Sequence, residues 1–132
     1  MTPTEQDALI AREMVKDPEW REWAYLLCGC TIDGWDGDGR PYRQEPDPEC
    51  DDCHGTGRVP RDFADPANTL RLAGWWGWRL THAPWTDRDA DVAGEIDDAM
   101  GLVASGFIVA AEGARRVRDI IAGRLKEIDD AD

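Results

Sequence analysis

Positive charge is what this sequence has least of. Its 15 Lys and Arg residues face 28 Asp and Glu, a formal net charge of -13 with a pI near 4.4. Affinity for nucleic acid depends largely on releasing counterions onto Lys and Arg, so general DNA or RNA binding is disfavoured, and binding to an anionic membrane surface with it. Long apolar runs are missing as well. The longest weakly polar stretch, Gly101 to Ala111, is far short of the roughly 20 residues a spanning helix needs. Met1–Glu13 carries Glu5, Asp7 and Glu13 rather than the basic-then-apolar layout of a secretory leader, so a cytoplasmic location is expected. Repeats and low-complexity tracts are absent. So are a nucleophile spaced with a base, a carboxylate dyad and a phosphate-cradling glycine loop, and the expectation is a non-enzymatic protein.

What is present fits one small domain. The chain has 132 residues, 42% of them hydrophobic and seven of them Trp, which is too apolar for a fully disordered chain. The acidity is concentrated. Eight acids against Arg40 and Arg43 lie between Asp33 and Asp52, and six against Arg88 lie between Asp87 and Asp98. A basic cluster, Arg115, Arg116, Arg118, Arg124 and Lys126, sits apart near the C-terminus.

The periodicity predicts a mainly α fold: a small helical domain with an inserted irregular or β-hairpin four-cysteine zinc loop. Residues 1–27 form N-terminal helices, 28–60 the zinc-binding insert and 61–132 a helical segment. Thr4 with Asp7 reads as an N-terminal capping pair, and Asp17-Pro18 as a helix restart whose face is Trp20, Trp23, Ala24 and Leu27. Asp65-Pro66 opens a helix to about Thr81 with Leu72, Trp76 and Leu80 on one face. Thr86 with Asp89 caps the next. From Ile96 the apolar residues step by three and four through Met100, Val103, Phe107, Ala110, Ala114, Val117 and Ile121 to Ile128, interrupted by Arg124. This predicts a helical seam wanting a partner helix, within the chain or from a second copy, so that a homodimer could form through Ile96–Ile128. The alternative is a break at Ser105-Gly106 with Phe107–Val109 as a short β-like stretch.

The four cysteines form two close pairs, Cys28-Gly-Cys30 and Cys50-Asp-Asp-Cys53, separated by a polar loop. Each pair can supply two thiolates from one tight turn, and Gly29, Gly55 and Gly57 permit the backbone such turns require, so the spacing predicts one structural Zn²⁺ on Cys28, Cys30, Cys50 and Cys53. A pair of disulfides and a working thiol redox site are the other readings. Four thiolates leave no open position for a zinc-bound water, which argues against a hydrolase. In a region this poor in apolar residues, metal binding would supply folding energy that the sequence lacks. Cys50-Asp-Asp-Cys53-His-Gly-Thr-Gly57 resembles the CxxCxGxG unit of the DnaJ-type cysteine-rich zinc region, present here once and without a His-Pro-Asp tripeptide. The order CxC then CxxC also resembles the zinc centre of the redox-switched heat-shock chaperone, in which oxidation ejects zinc and exposes a binding surface. His54 reads as a neighbour of the site rather than a ligand, and His82 as a helix-end residue.

Two further features stand out. Asp36, Asp38, Gly39 and Glu45 match positions of a calcium-binding loop if Gly34 is the first, but glycine there and Pro41 beyond favour a solvated acidic tip. Trp75 and Trp78, a helical turn apart and away from Trp76, are candidate surface rings, with Trp85 beyond. The functional expectation is an acidic, zinc-stabilised protein-interaction module meeting a basic surface through Asp47, Glu49, Asp51, Asp52, Asp87, Asp89, Asp91, Asp97 and Asp98. One version mimics nucleic-acid charge to inhibit a basic host protein. In size and charge the chain is similar to small acidic phage-encoded antagonists of restriction or CRISPR machinery. A nucleic-acid-associated zinc ribbon using Arg58, Arg61 and the C-terminal cluster, and a redox-sensing thiol–zinc switch, are the alternatives.

Overall fold

A computed structural model describes residues 1–28, 30, 32–35, 41–43, 48–51 and 53–131, with the backbone alone for 32–35 and 41–43. The chain is mainly helical. Its elements are α1 (Pro3–Met14), α2 (Arg21–Ala24), β1 (Tyr25–Leu27), β2 (Ile32–Trp35), β3 (Pro41–Arg43), β4 (Arg58–Pro60), α3 (Pro66–His82), α4 (Asp87–Ala104) and α5 (Ala110–Ala131). No helix among the described residues is long and apolar enough to cross a membrane.

Local chemistry starts each helix. Pro3 and Pro66 occupy first-turn positions where the missing N–H is harmless, and the side chains of Thr2 and Asp65 accept from the N–H groups of Glu5 and Ala67. The cap of α1 is therefore Thr2 and not Thr4, because the proline fixes the first turn one residue later. Thr86 and Asp89 form the expected capping box on α4. After α1 the chain turns through Asp17-Pro18 rather than restarting a long helix. Only the single turn of α2 follows, and the expected face ends at buried Ala24, with Leu27 exposed in β1.

The long stripe is broken. Gly106 adopts φ +78°, its N–H donates to the Val103 carbonyl, and the Phe107 N–H donates to the Leu102 carbonyl. This left-handed helix stop suits glycine. Ser105-Gly106 thus divides the seam into α4 and α5, as the alternative held, although Phe107–Val109 forms no strand. The two helices pack on each other. Ile96 on α4 and Val117 and Ile121 on α5 are buried within the chain, while Phe107 of the same stripe is exposed.

α5 is the central helix, in contact with α1, α3 and α4. Its Val117, Ile121 and Leu125 share one core with Ile10 and Met14 of α1, Leu72, Trp75 and Trp76 of α3, Val92 and Ile96 of α4, and Phe63. Gly113 lets the α4–α5 pair close, since a Cβ there would lie 2.2 Å from Val103 Cγ2. The insert leaves this bundle through β1 and returns through β4, antiparallel partners in the register Tyr25↔Pro60, Leu26↔Val59 and Leu27↔Arg58. The chain between them forms a second antiparallel pair, β2 with β3.

Candidate metal centre

The register of β1 with β4 brings the two halves of the cysteine constellation together. Pairing Leu27 with Arg58 sets Cys28 beside Gly57, where the Cys28 N–H donates to the Gly57 carbonyl at 2.9 Å. The second pair sits in a tight turn: the His54 N–H donates to the Cys50 carbonyl at 2.9 Å, and the Thr56 N–H to the Cys53 carbonyl at 3.0 Å. His54, Gly55 and Gly57 all have positive φ, and a Cβ on Gly55 would stand 3.3 Å from the Pro48 Cα. Both glycines of the motif are thus required by backbone conformation, and Gly55 by a close approach as well. Thr56, which the sequence reading passed over, places its hydroxyl 2.7 Å from the Cys53 carbonyl oxygen and 3.0 Å from that of Arg58, closing the turn onto β4. A threonine between two turn glycines was the available signal.

The sulfurs of Cys28, Cys30, Cys50 and Cys53 all lie within 4.8 Å of one another, with Cys28–Cys50 at 3.6 Å and Cys30–Cys53 at 3.5 Å. A disulfide needs about 2.05 Å, and none of the four cysteines is joined in one. Four thiolates held tetrahedrally at about 2.3 Å from zinc would be about 3.8 Å apart, so the cluster has the dimensions of a four-sulfur site. Cys28 and Cys53 are buried and the other two partly so. Burial resists ionisation of Cys53, but the N–H groups of Gly57 and Gly55 and the Cys30 and Cys50 thiols outweigh it and bring its pKa down to about 7. At Cys28 the Cys30 N–H favours the thiolate, yet burial and the Cys50 and Cys53 thiols leave it harder to ionise than a free thiol. The donor set is therefore soft, compact and supplied with backbone N–H groups aimed at sulfur, which fits a thiophilic metal ion. His54 is exposed beside the cluster and outside the four-sulfur set.

The remaining candidates separate. Asp36, Asp38, Gly39 and Glu45 of the calcium-like loop, together with Asp47 and Asp52, lie outside the described residues. Glu49 and Asp51 are exposed beside Cys50, and Asp87, Asp91, Asp97 and Asp98 are exposed on α4. Asp89 is not a surface acid. It is buried, accepts from Arg124 Nε at 2.7 Å and from the Thr86 N–H at 2.9 Å, and belongs to the helix cap. Trp75 is likewise no surface ring. It is wholly buried and donates its indole N–H to Asp17 at 2.8 Å, a partner distant in sequence. Trp78 is partly exposed, stacked on His82 at 4.3 Å and bonded to Glu19. His82 closes α3, as its position suggested. The C-terminal basic cluster is committed internally: Arg115 and Arg116 to Glu112, Arg118 to Asp119, Arg124 to Asp89 and Glu127, and Lys126 to Asp130.

The likeness to the DnaJ-type unit rests on Cys50 to Gly57 alone. No protein-family model matches the chain, and neither the curated proteins nor the solved structures provide a match.

Proposed function

We propose that the chain is a non-enzymatic protein-interaction module whose insert is held by one structural Zn²⁺ on Cys28, Cys30, Cys50 and Cys53, and whose acidic faces meet a basic surface on a partner protein. The observation that carries the zinc reading is the convergence of four thiols at the root of the insert, within 4.8 Å of one another. Few apolar side chains are available there to order the chain, and metal binding would supply that energy. The acidic-face reading is supported by α4. With 3.6 residues per turn, Asp87, Asp91 and Asp98 share one face of the helix, turned away from that of Val92, Ile96 and Ala99. Among the described residues none of the three has an ion-pair partner. A row of unneutralised carboxylates on a rigid helix is suited to a basic partner surface, including one that otherwise binds nucleic-acid phosphates.

Elemental analysis and native mass spectrometry of purified protein should find roughly one zinc per chain, and Cys50→Ser should lose it. Protein with no metal and a fully ordered insert would sink the zinc reading. For the acidic faces, partners captured by the intact protein should be lost when Asp87, Asp91 and Asp98 are changed to Asn together with Glu49→Gln and Asp51→Asn. Unchanged capture would reject that half of the proposal and leave the metal centre standing.

A further inference from the structure

The same chain carries a small surface of opposite sign. Ion pairs absorb Arg12, Lys16, Arg88 and the whole C-terminal cluster. Among the described residues, Arg21, Arg58, Arg61 and Arg71 have no carboxylate at ion-pair distance, although acids outnumber bases almost two to one in the chain. All four lie on or around the β1–β4 pair; the fifth described arginine without such a carboxylate, Arg79, is partly buried on α3 against the Trp75 and Trp76 rings. Arg21 belongs to α2, which runs directly into β1, Arg58 begins β4 and Arg61 follows it. Arg61 and Arg71 both approach the Trp23 ring, at 4.9 and 5.4 Å from its centroid. Two cations sharing one ring repel each other, which is one reason why the Arg61 pKa is lowered, after burial. The sheet root therefore holds uncompensated guanidinium groups.

Arg21 and Arg58 line an open cleft of about 420 Å³ that also includes Tyr25, Leu26 and Leu27, with Glu22 as its one acid among the described residues. Leu26 and Leu27 are large apolar side chains left nearly half exposed there. The backbone of β1 is also available. The Cys28 N–H to Gly57 carbonyl and Arg61 N–H to Ala24 carbonyl bonds mark positions 24, 26 and 28 as the hydrogen-bonded side of the ladder. Tyr25 and Leu27 consequently turn their N–H and C=O groups away from β4, and no third strand lies beside them among the described residues. The other edge is less open, since Pro60 has no N–H and Thr56 occupies the Arg58 N–H and carbonyl.

We infer that this edge of β1 binds an extended peptide segment of a partner protein in which acidic and apolar residues alternate. Its backbone would pair with Tyr25 and Leu27, its carboxylates would meet Arg21 and Arg58, and its apolar side chains would cover Leu26, which points to the face opposite Leu27 and Arg58. Arginine alone would serve a phosphate backbone equally well. Two observations favour peptide: the exposed leucines have no use for phosphate, and a net charge of -13 repels a long polyanion more than a short acidic segment. Trp23 offers no stacking platform for a base, since Arg61 and Arg71 already crowd its ring and Trp20 and Phe63 meet it in edge contacts. The inference does not depend on which metal, if any, fills the cysteine cluster.

Fluorescence polarisation on the full chain tests it, with labelled (Glu-Val)4, (Glu-Pro)4 and a ten-residue oligo-dT as probes. At physiological ionic strength, where charges beyond about 8 Å are largely screened, (Glu-Val)4 should bind. (Glu-Pro)4 keeps the charge but lacks half the strand donors and should bind at least about tenfold more weakly. Arg21→Glu with Arg58→Glu should lower (Glu-Val)4 affinity by about tenfold or more, while Arg115→Glu with Arg116→Glu should leave it unchanged. Circular dichroism would confirm that both variants retain helix. Absence of binding, equal losses in the two variants, or equal binding of the two peptides would overturn the inference. Tighter oligo-dT binding through Arg21 and Arg58 would overturn it in favour of nucleic acid.

Discussion

The Asp89–Arg124 pair offers the sharpest test of the helical packing. Their side chains are only 11% and 14% exposed, and the Nε–Oδ1 distance is 2.7 Å. Asp89→Ala removes this bond and the capping bond from the Thr86 N–H, and strands Arg124 where water reaches it poorly. Breaking a buried pair on one side costs about 3–5 kcal/mol, and loss of a helix cap costs about 1 kcal/mol. Arg124 keeps Glu127 at 3.2 Å, which softens the first figure, so a loss of about 3 kcal/mol is expected. Arg124→Met strands Asp89 instead and should cost about 2–3 kcal/mol. Removing both leaves no uncompensated charge, so the double variant should lose little beyond the cap, about 1–2 kcal/mol, well short of additivity. Burial resists ionisation of Asp89, but Arg124 and the Thr86 N–H outweigh it and hold its pKa below the ordinary value. The folded state thus binds this proton less readily than the unfolded one. The contribution is complete above the unfolded value, about 4, and is lost as pH falls further. Urea denaturation followed by circular dichroism at pH 7 and pH 3 would measure the cycle. Single losses that add to within about 0.5 kcal/mol, or a loss below about 1 kcal/mol for Asp89→Ala, would refute the reasoning.

Two further perturbations probe other contacts. Ala in place of Gly113 gains about 1 kcal/mol of helix propensity but drives its Cβ to 2.2 Å from Val103 Cγ2, an overpacking worth about 1–3 kcal/mol. Gly113→Ala should therefore lower the urea midpoint alone and raise it in a Val103→Ala background; a gain in both backgrounds would contradict the close α4–α5 approach. Burial, with Asp62 adding, raises the Asp7 pKa to about 6 against the opposing Phe63 N–H and Arg118. The folded state then holds this proton more tightly, so stability falls as pH rises from about 4 to 6. Asp7→Asn keeps an acceptor for the Phe63 N–H. Allowing for partial exposure, it should stabilise by about 1 kcal/mol at pH 7 and by nothing below pH 4. Chemical denaturation curves differing by a constant amount across that range would refute it.

What could be read from the sequence was what nearest neighbours decide. Asp65-Pro66 and Thr86 with Asp89 are each specified within a few residues and each appears in the structure where it was expected, and the sulfurs of the two cysteine pairs lie together as their spacing predicted. Thr2 was missed as a cap because the polar residues Thr2 and Thr4 flank Pro3, and only the proline decides between them. The stripe from Ile96 to Ile128 left the Ser105-Gly106 stop only as an alternative because α4 and α5 bury residues at the same three-four step, so the apolar period continues across Gly106. Arg124 looked like an interruption, whereas it is the partner of an acid 35 positions earlier. Trp75 shows the same limit: its indole N–H is satisfied by Asp17, and without that distant carboxylate, wholly burying the ring would leave a polar group unpaired. The meeting of the two cysteine pairs depends on the β1–β4 register, which strands of three residues do not announce.

That register has a consequence for how the chain can change. The backbone leaves the bundle at Ala24 and re-enters at Arg61, and those two residues are joined by a hydrogen bond of 3.1 Å. The stretch between them is a loop with its ends already tied. Doubling the length of such a loop costs only about 0.6 kcal/mol in closure entropy, so insertions or deletions beyond the cysteine turns hardly reach the helices. Between the two cysteine pairs the sequence from Asp33 to Asp47 carries five acids, so the charge in that stretch can vary from one descendant of the sequence to another while the bundle stays the same.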